Sequence, residues 1–398
     1  MPPRQVYLDN NATTQVAPEV LEAMLPFFKD LYGNPSSMHA FGGQVAQHVQ
    51  QARERVAALL NAHPDEILFT SCGTESDNHA IKGVLEAHPE KRHLVTTKVE
   101  HPAVLNVCRY LAKHHGYRLT ELPVDRRGNL DLDQVAAALT PDTALLSVMT
   151  ANNETGTLFP IEKIGAIARE KGVTFHTDAV QAAGKLPLDM ARLPVDLLSI
   201  SGHKLHAPKG IGVLYIRRGT RIMPFMHGGH QERGRRAGTE NVPYIVGLGR
   251  ACELARVELF EETNRLRQLR DRLEQGLLAR IPSTHINGNP DWRLPNTTNL
   301  GFEYIEGEAI LLHLSAAGIA ASSGSACTSG SLEPSHVLMA MEVPFTYAHG
   351  SVRFSLSKYN TDQDIDYVLA TLPGIVQKLR DMSPFYPKDA PRVVETAS

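Results

Sequence analysis

Cysteine is scarce in this sequence. Cys72, Cys108, Cys252 and Cys327 are the four in 398 residues, and none forms a metal-type pair with another. So few, so widely spaced, they argue against a disulfide framework and fit a reducing cytosol, where thiols stay free for chemistry. Long apolar runs are absent too, since none approaches the roughly 20 residues that span a bilayer. The opening MPPRQVYLDNNATT has no apolar signal core, so a cytoplasmic location and no membrane contact are expected. A charge field of one sign is also missing. The net charge is −3, which gives no electrostatic reason to expect nucleic acid or an anionic membrane as a partner. What remains is the composition of a soluble globular protein, 42% hydrophobic and 21% charged, with a length that suggests about two domains.

Short β-branched runs alternate with helical patterns. EILFTS (66–71), HLVTTK (93–98), ALLSVMT (144–150), VTFHTDA (173–179), DLLSIS (196–201) and GVLYIRR (212–218) read as strands. Between them lie amphipathic stretches such as SDNHAIKGVLEAH and PIEKIGAIAREKG. Strands apolar on both faces and separated by helices predict a mostly parallel α/β sheet covered on both sides. In such a sheet a ligand sits beyond the carboxyl ends of the strands. Thr74, His101, Asn153, Asp178 and Lys204 all fall just after strand-like runs. From about 245 to 281 a long helix is predicted, with Leu266, Leu269, Leu273 and Leu277 at spacings of three and four. Past it the texture changes to short strands and loops, with a closing helix near 362–380. This predicts a large domain over 17–260 and a smaller α+β domain over 261–385 joined by the N-terminal arm 1–16. Residues 386–398 read as a loose tail.

Lys204, in SISGHKLHAPKGIG, is oddly placed for a lysine. It follows an apolar strand and sits among small residues. It is either a solvated turn lysine or one held in a pocket to make a Schiff base. Asp178, 26 residues earlier, is either a helix cap or the carboxylate that keeps a pyridine nitrogen protonated. In FTSCGTESDN, Gly73 and Thr74 stand between a strand and a helix whose free N–H groups suit a phosphate, though an ordinary helix cap has the same look. His101 is structural or stacks on a planar ring and moves protons. The pairs His203/His206 and His227/His230 invite a metal, but neither has an obvious third ligand. Arg353 either grips a substrate carboxylate or pairs with a carboxylate of the fold. Cys327 lies in ASSGSACTSGSLEPSHVL, where small polar residues predict a mobile loop. A cysteine there is an accident or a nucleophile.

Taken in order, YLDNNATT, GNPSS, TSCGTESDN, VEHPAV, ANNETGT, HTDAVQ, SGHKLHAPKG, GGHQERGRRAGTEN and SSGSACTSGSLEPSH resemble the cysteine desulfurases of the class V aminotransferase group, from about residue 6 to 385. The nitrogen-fixation type shares these motifs more fully than the housekeeping type does. The resemblance implies pyridoxal 5'-phosphate (PLP) fold type I, with a seven-stranded, mostly parallel sheet in the large domain. It implies PLP on Lys204 and Asp178 at the pyridine nitrogen. Gly73, Thr74, Ser201 and His203 would surround the phosphate, with Thr239 reaching it from the other subunit of a homodimer. Asn153 and Gln181 would lie by the phenolic oxygen and the substrate, His101 would stack on the ring and Arg353 would grip the substrate carboxylate.

The implied reaction converts L-cysteine to L-alanine and leaves the sulfur as a persulfide on Cys327. His101 would deprotonate the incoming thiol. An iron–sulfur scaffold would accept the sulfur, for nitrogenase clusters in the nitrogen-fixation case, and Cys327 would meet metal only transiently there. Rival readings are a selenocysteine lyase, another class V PLP enzyme, a housekeeping desulfurase, or a non-catalytic scaffold of the same fold. The intact Lys204 and Asp178 argue against the last.

Overall fold

The structure is a computed structural model that describes residues 4–323 and 335–394. Cys327 lies outside the described residues. A seven-stranded sheet runs in the order Ile67–Thr70, Gly212–Ile216, Leu197–Ser201, Thr174–Asp178, Thr143–Ser147, His93–Thr97, Arg118–Leu122. Gly212–Ile216 is antiparallel to both of its neighbours. The other six strands therefore point the same way, and their carboxyl ends share one edge. Five of the strands are fully buried along their length and Thr174–Asp178 is buried at all but its first residue, as continuous β-branched and leucine runs demand in a sheet covered on both faces. Arg118–Leu122 is the exception. It is polar, mostly part-buried and at the sheet's edge, so it carries no apolar run to announce it.

The long helix spans Val242–Arg280. Its first half buries Val242, Ile245, Val246, Leu248 and Ala251 in the apolar cluster under the sheet. Its second half buries Leu266, Leu269, Leu273 and Leu277 in a different cluster, with Leu300, Phe302, Val352, Phe354 and residues of the closing helix Asp362–Met382. Val6 and Leu8 of the N-terminal arm join that second cluster. There a three-stranded antiparallel sheet places Thr297–Phe302 between Thr284–Ile286 and Ser351–Ser355. Val6–Tyr7 pairs in parallel with Ile319–Ala320. The arm then crosses back, so that residues 9–14 lie between this sheet and the Lys204 turn.

Candidate active site

Lys204 ends a short 3-10 turn, Gly202–Lys204, that leaves the strand Leu197–Ser201 directly. Gly202 is small for a reason: a Cβ there would lie 2.8 Å from Ile211 Cγ2 and 3.1 Å from the Ile211 carbonyl. The arm clasps this turn. Thr14 N donates to the His203 carbonyl at 2.9 Å, and Ala17 N donates to the His206 carbonyl at 3.1 Å. His206 has a left-handed backbone, φ 65°, and its N–H donates to Thr14 Oγ1 at 2.9 Å. The Lys204 ammonium donates to the carbonyls of Asn11, at 2.5 Å, and Ala12, at 2.7 Å.

The neighbouring strand Thr174–Asp178 ends in a buried carboxyl, and the Val180 N–H donates to its Oδ1 at 2.9 Å. Burial pushes the Asp178 carboxyl above its ordinary range, while that N–H and the Lys204 charge pull it back. On the far side Ile67–Thr70 leads through Ser71 and Cys72 into the helix Gly73–Ala87. A Cβ on Gly73 would lie 2.9 Å from Val180 Cγ2 and 3.3 Å from Ser201 Cβ. Only a glycine lets this helix start so close to the ends of two strands. Its first N–H groups and positive dipole end then face the same space.

These elements enclose a cavity of about 280 Å³, lined in part by Gly73, Thr74, His101, Asn153, Asp178, Gln181, Ser201, His203, Lys204 and Arg353. Ten of the residues singled out in the sequence thus meet in one place. Arg353 pairs with a carboxylate of the fold without leaving the cavity. It pairs with Asp9 at 2.7 Å, donates to the Asn153 carbonyl at 3.0 Å, and still lines the cavity. Thr239 does not join them. It lines a separate cavity of about 190 Å³ with Ser71, Gly210, Glu232 and Arg236. The carboxylate of Glu75, in the first turn of the Gly73 helix, ties that region to the site by binding Arg236 at 2.8 Å and the Ser71 N–H at 2.8 Å. Among the described residues no group of three or more His, Cys, Asp or Glu is placed to hold a metal ion.

The class-V aminotransferase pattern matches residues 6–368. A cysteine desulfurase of Trichormus azollae is 62% identical over 380 residues, covering 96% of this chain and 95% of that one. The cysteine desulfurase NifS of Azotobacter vinelandii is 59% identical over 387 residues, covering 97% and 96%. Among solved structures, a NifS-like protein superposes with a TM-score of 0.88 at 43% identity, covering 94% of this chain and 99% of the other. SspA in complex with cysteine superposes at 0.80 with 38% identity, covering 90% and 100%.

The chain belongs to the cysteine desulfurases of the class-V aminotransferase family. That family is PLP-dependent, and the α/β fold with its mostly parallel seven-stranded sheet is that of PLP fold type I. The cavity fits the cofactor on its own features. A buried carboxyl that burial drives toward neutrality is stabilised by a protonated ring nitrogen. A helix N-terminus opened by Gly73, with Thr74, Ser201 and His203 around it, suits a phosphate. Gln181 Oε1 is buried with no hydrogen-bond partner among the described residues, so a polar ligand would complete it.

Several cavity residues carry no obvious signal in the sequence. The carbonyls of Asn11 and Ala12 have none, because every residue has a carbonyl. Asp77, Glu154 and His336 also line the cavity. The motif order hinted at them, since each lies inside or beside a quoted motif, but no spacing marked them individually.

Proposed function

We propose that this desulfurase binds PLP through Lys204 and Asp178, takes L-cysteine as substrate, releases L-alanine, and carries the sulfur on Cys327 as a persulfide. The convergence of Lys204, Asp178, the Gly73 helix and Arg353 on one cavity supports this reading. Bound PLP supplies an electron sink that stabilises the carbanion formed at the substrate's α-carbon. Around it, Gly73, Thr74, Ser201 and His203 hold the phosphate. Asp178 keeps the pyridine nitrogen protonated. Asn153 and Gln181 would orient the cofactor's polar edge, and His101 would stack on the ring. Arg353, held by Asp9, receives the substrate carboxylate. Lys204 would hold the cofactor and, when its amine is free, would move the substrate's α-proton. The acceptor of the sulfur is an iron–sulfur scaffold protein, and the NifS relative favours nitrogenase clusters as the destination. The enzyme is a cytoplasmic homodimer. Among the described residues no helix is long and apolar enough to cross a membrane.

The test is Cys327→Ala. The variant should stay yellow and still change its absorbance on binding L-cysteine, because those steps need only the lysine and the ring. It should release almost no alanine, because no thiolate takes the sulfur. The same change at Cys108 or Cys252 should matter little. Both are buried, and burial pushes the Cys252 thiol to about 12 and the Cys108 thiol higher still. Alanine release at near the parent rate from the Cys327 variant would defeat the assignment, as would persulfide mapped to another cysteine.

A further inference from the structure

Two imidazoles line the cavity, His101 and His336, and their hydrogen bonds fix opposite roles. The Ala103 backbone N–H donates to His101 Nδ1 at 3.1 Å, as His101 caps the helix Pro102–His115. A backbone N–H only donates, so Nδ1 must present its lone pair and the neutral ring carries its proton on Nε2. For His336 the bonded atom is Nε2, 3.0 Å from the Glu100 backbone carbonyl. A carbonyl only accepts, so here Nε2 carries the proton and the lone pair is on Nδ1. His101 offers a donor in its neutral form, and His336 offers an acceptor.

His336 is also firmly placed. It follows buried Ser335, whose hydroxyl donates to the carboxylate of buried Glu154 and accepts from Val337 N at 3.1 Å and from Leu338 N at 3.4 Å. His336 is itself exposed while lining the cavity, which puts it at the mouth. The groups that act on it or feel it are His101, Glu121 and Glu154, with the Glu100 carbonyl at its Nε2 and Arg353 acting on Glu154.

The desulfurase reaction needs such a group. A thiol on the enzyme and the thiol of cysteine become a persulfide and the methyl group of alanine. The S–H bond of the attacking thiol breaks with its electrons left on sulfur. That electron pair forms the S–S bond, and the C–S bond breaks with its electrons left on carbon. The carbon then takes a proton. One proton therefore moves from sulfur to carbon, and something must accept it and return it. Resting on the reading above, we propose that His336 Nδ1 accepts the proton of the attacking thiol and returns it to the carbon, while His101 acts as a hydrogen-bond donor. The family resemblance instead implies that His101 deprotonates the incoming thiol.

The experiment compares the parent with His336→Gln and His101→Gln, each loaded with PLP. Glutamine at 336 keeps a donor for the Glu100 carbonyl but cannot take a proton. His336→Gln should still show the parent's absorbance change with L-alanine, which has no thiol. Its alanine release from L-cysteine should fall by about 10²–10⁴-fold at neutral pH. The remaining rate should rise about tenfold per pH unit until thiols ionise near ~8.5, because the thiolate must then come from solution. His101→Gln should be slowed yet keep the parent's profile. A His336→Gln variant within about threefold of the parent with the parent's profile would overturn the proposal. So would loss of the L-alanine response, or a thiol-limited profile in His101→Gln instead. A parent that makes no alanine, or makes it without Cys327, would defeat the underlying functional reading and not this inference.

Discussion

Asp178 shows how a single residue becomes chemically specific only in place. In the sequence it is a carboxylate after a strand, no different from a helix cap. In the fold it is buried beside Lys204, where burial raises its proton affinity and the ammonium lowers it. A protonated pyridine nitrogen would lower it further, and the carboxylate would in turn keep that nitrogen charged. Asp178→Asn removes the charge and keeps the shape. We expect Lys204 still to capture PLP, seen as visible absorbance, while alanine formation falls by about 10²–10³-fold, in line with losing one preorganised electrostatic partner. A variant as active as the parent would show that the nitrogen needs no charge. The same lesson applies to Arg353, for which fold pairing and ligand contact looked like alternatives. The buried guanidinium has enough donors for Asp9, the Asn153 carbonyl and the cavity together. Residue types were thus legible in the sequence, but single roles were not.

At the scale of elements, legibility followed apolar content. The six core strands carry apolar runs that only a covered sheet can hide. The edge strand Arg118–Leu122 and the two-residue arm strand Val6–Tyr7 do not, because their stability comes from backbone pairing that leaves no side-chain pattern. The leucine spacing predicts a helix from about 245 to 281, and it runs Val242–Arg280, since the stripe persists to the end while Pro243 marks the start. The turn at Gly73 is the element on which binding depends. Its glycine is needed for space rather than for an unusual φ. Gly73→Ala puts a methyl group against Val180 and Ser201, and such overpacking costs about 1–3 kcal/mol. If the helix start holds the cofactor's phosphate as proposed, the strain should appear as about a ten- to hundredfold loss of PLP affinity, with far-UV circular dichroism unchanged. Unaltered affinity in a PLP titration would mean that the helix start tolerates the displacement.

For the whole molecule, the number of chains that make one site follows from where Thr239 acts. Thr239 lines a cavity distinct from that of Lys204, although its segment is tied to the Gly73 helix through the Arg236–Glu75 pair. That segment is held rigidly. Glu232 and Arg233 both have left-handed backbones, φ 47° and 60°, and the Glu232 carboxylate accepts from both Arg53 nitrogens and from the Phe69 N–H. Such a braced segment suits presentation to a neighbour. If Thr239 serves the partner's phosphate, the enzyme is a homodimer with shared sites, and complementation can reveal it. Lys204→Ala subunits cannot bond PLP. Thr239→Ala subunits would bind it weakly, because each site lacks the partner's hydroxyl. In a mixed dimer, one site combines the intact Lys204 of the Thr239 variant with the intact Thr239 of the Lys204 variant. The other site lacks both. Mixing the two variants, with exchange of subunits, should therefore restore tight PLP binding and desulfuration at limiting PLP in the mixed dimers. If Thr239 served its own chain, every site with an intact lysine would still lack its threonine. Mixing would then restore nothing, and the shared-site arrangement would be wrong.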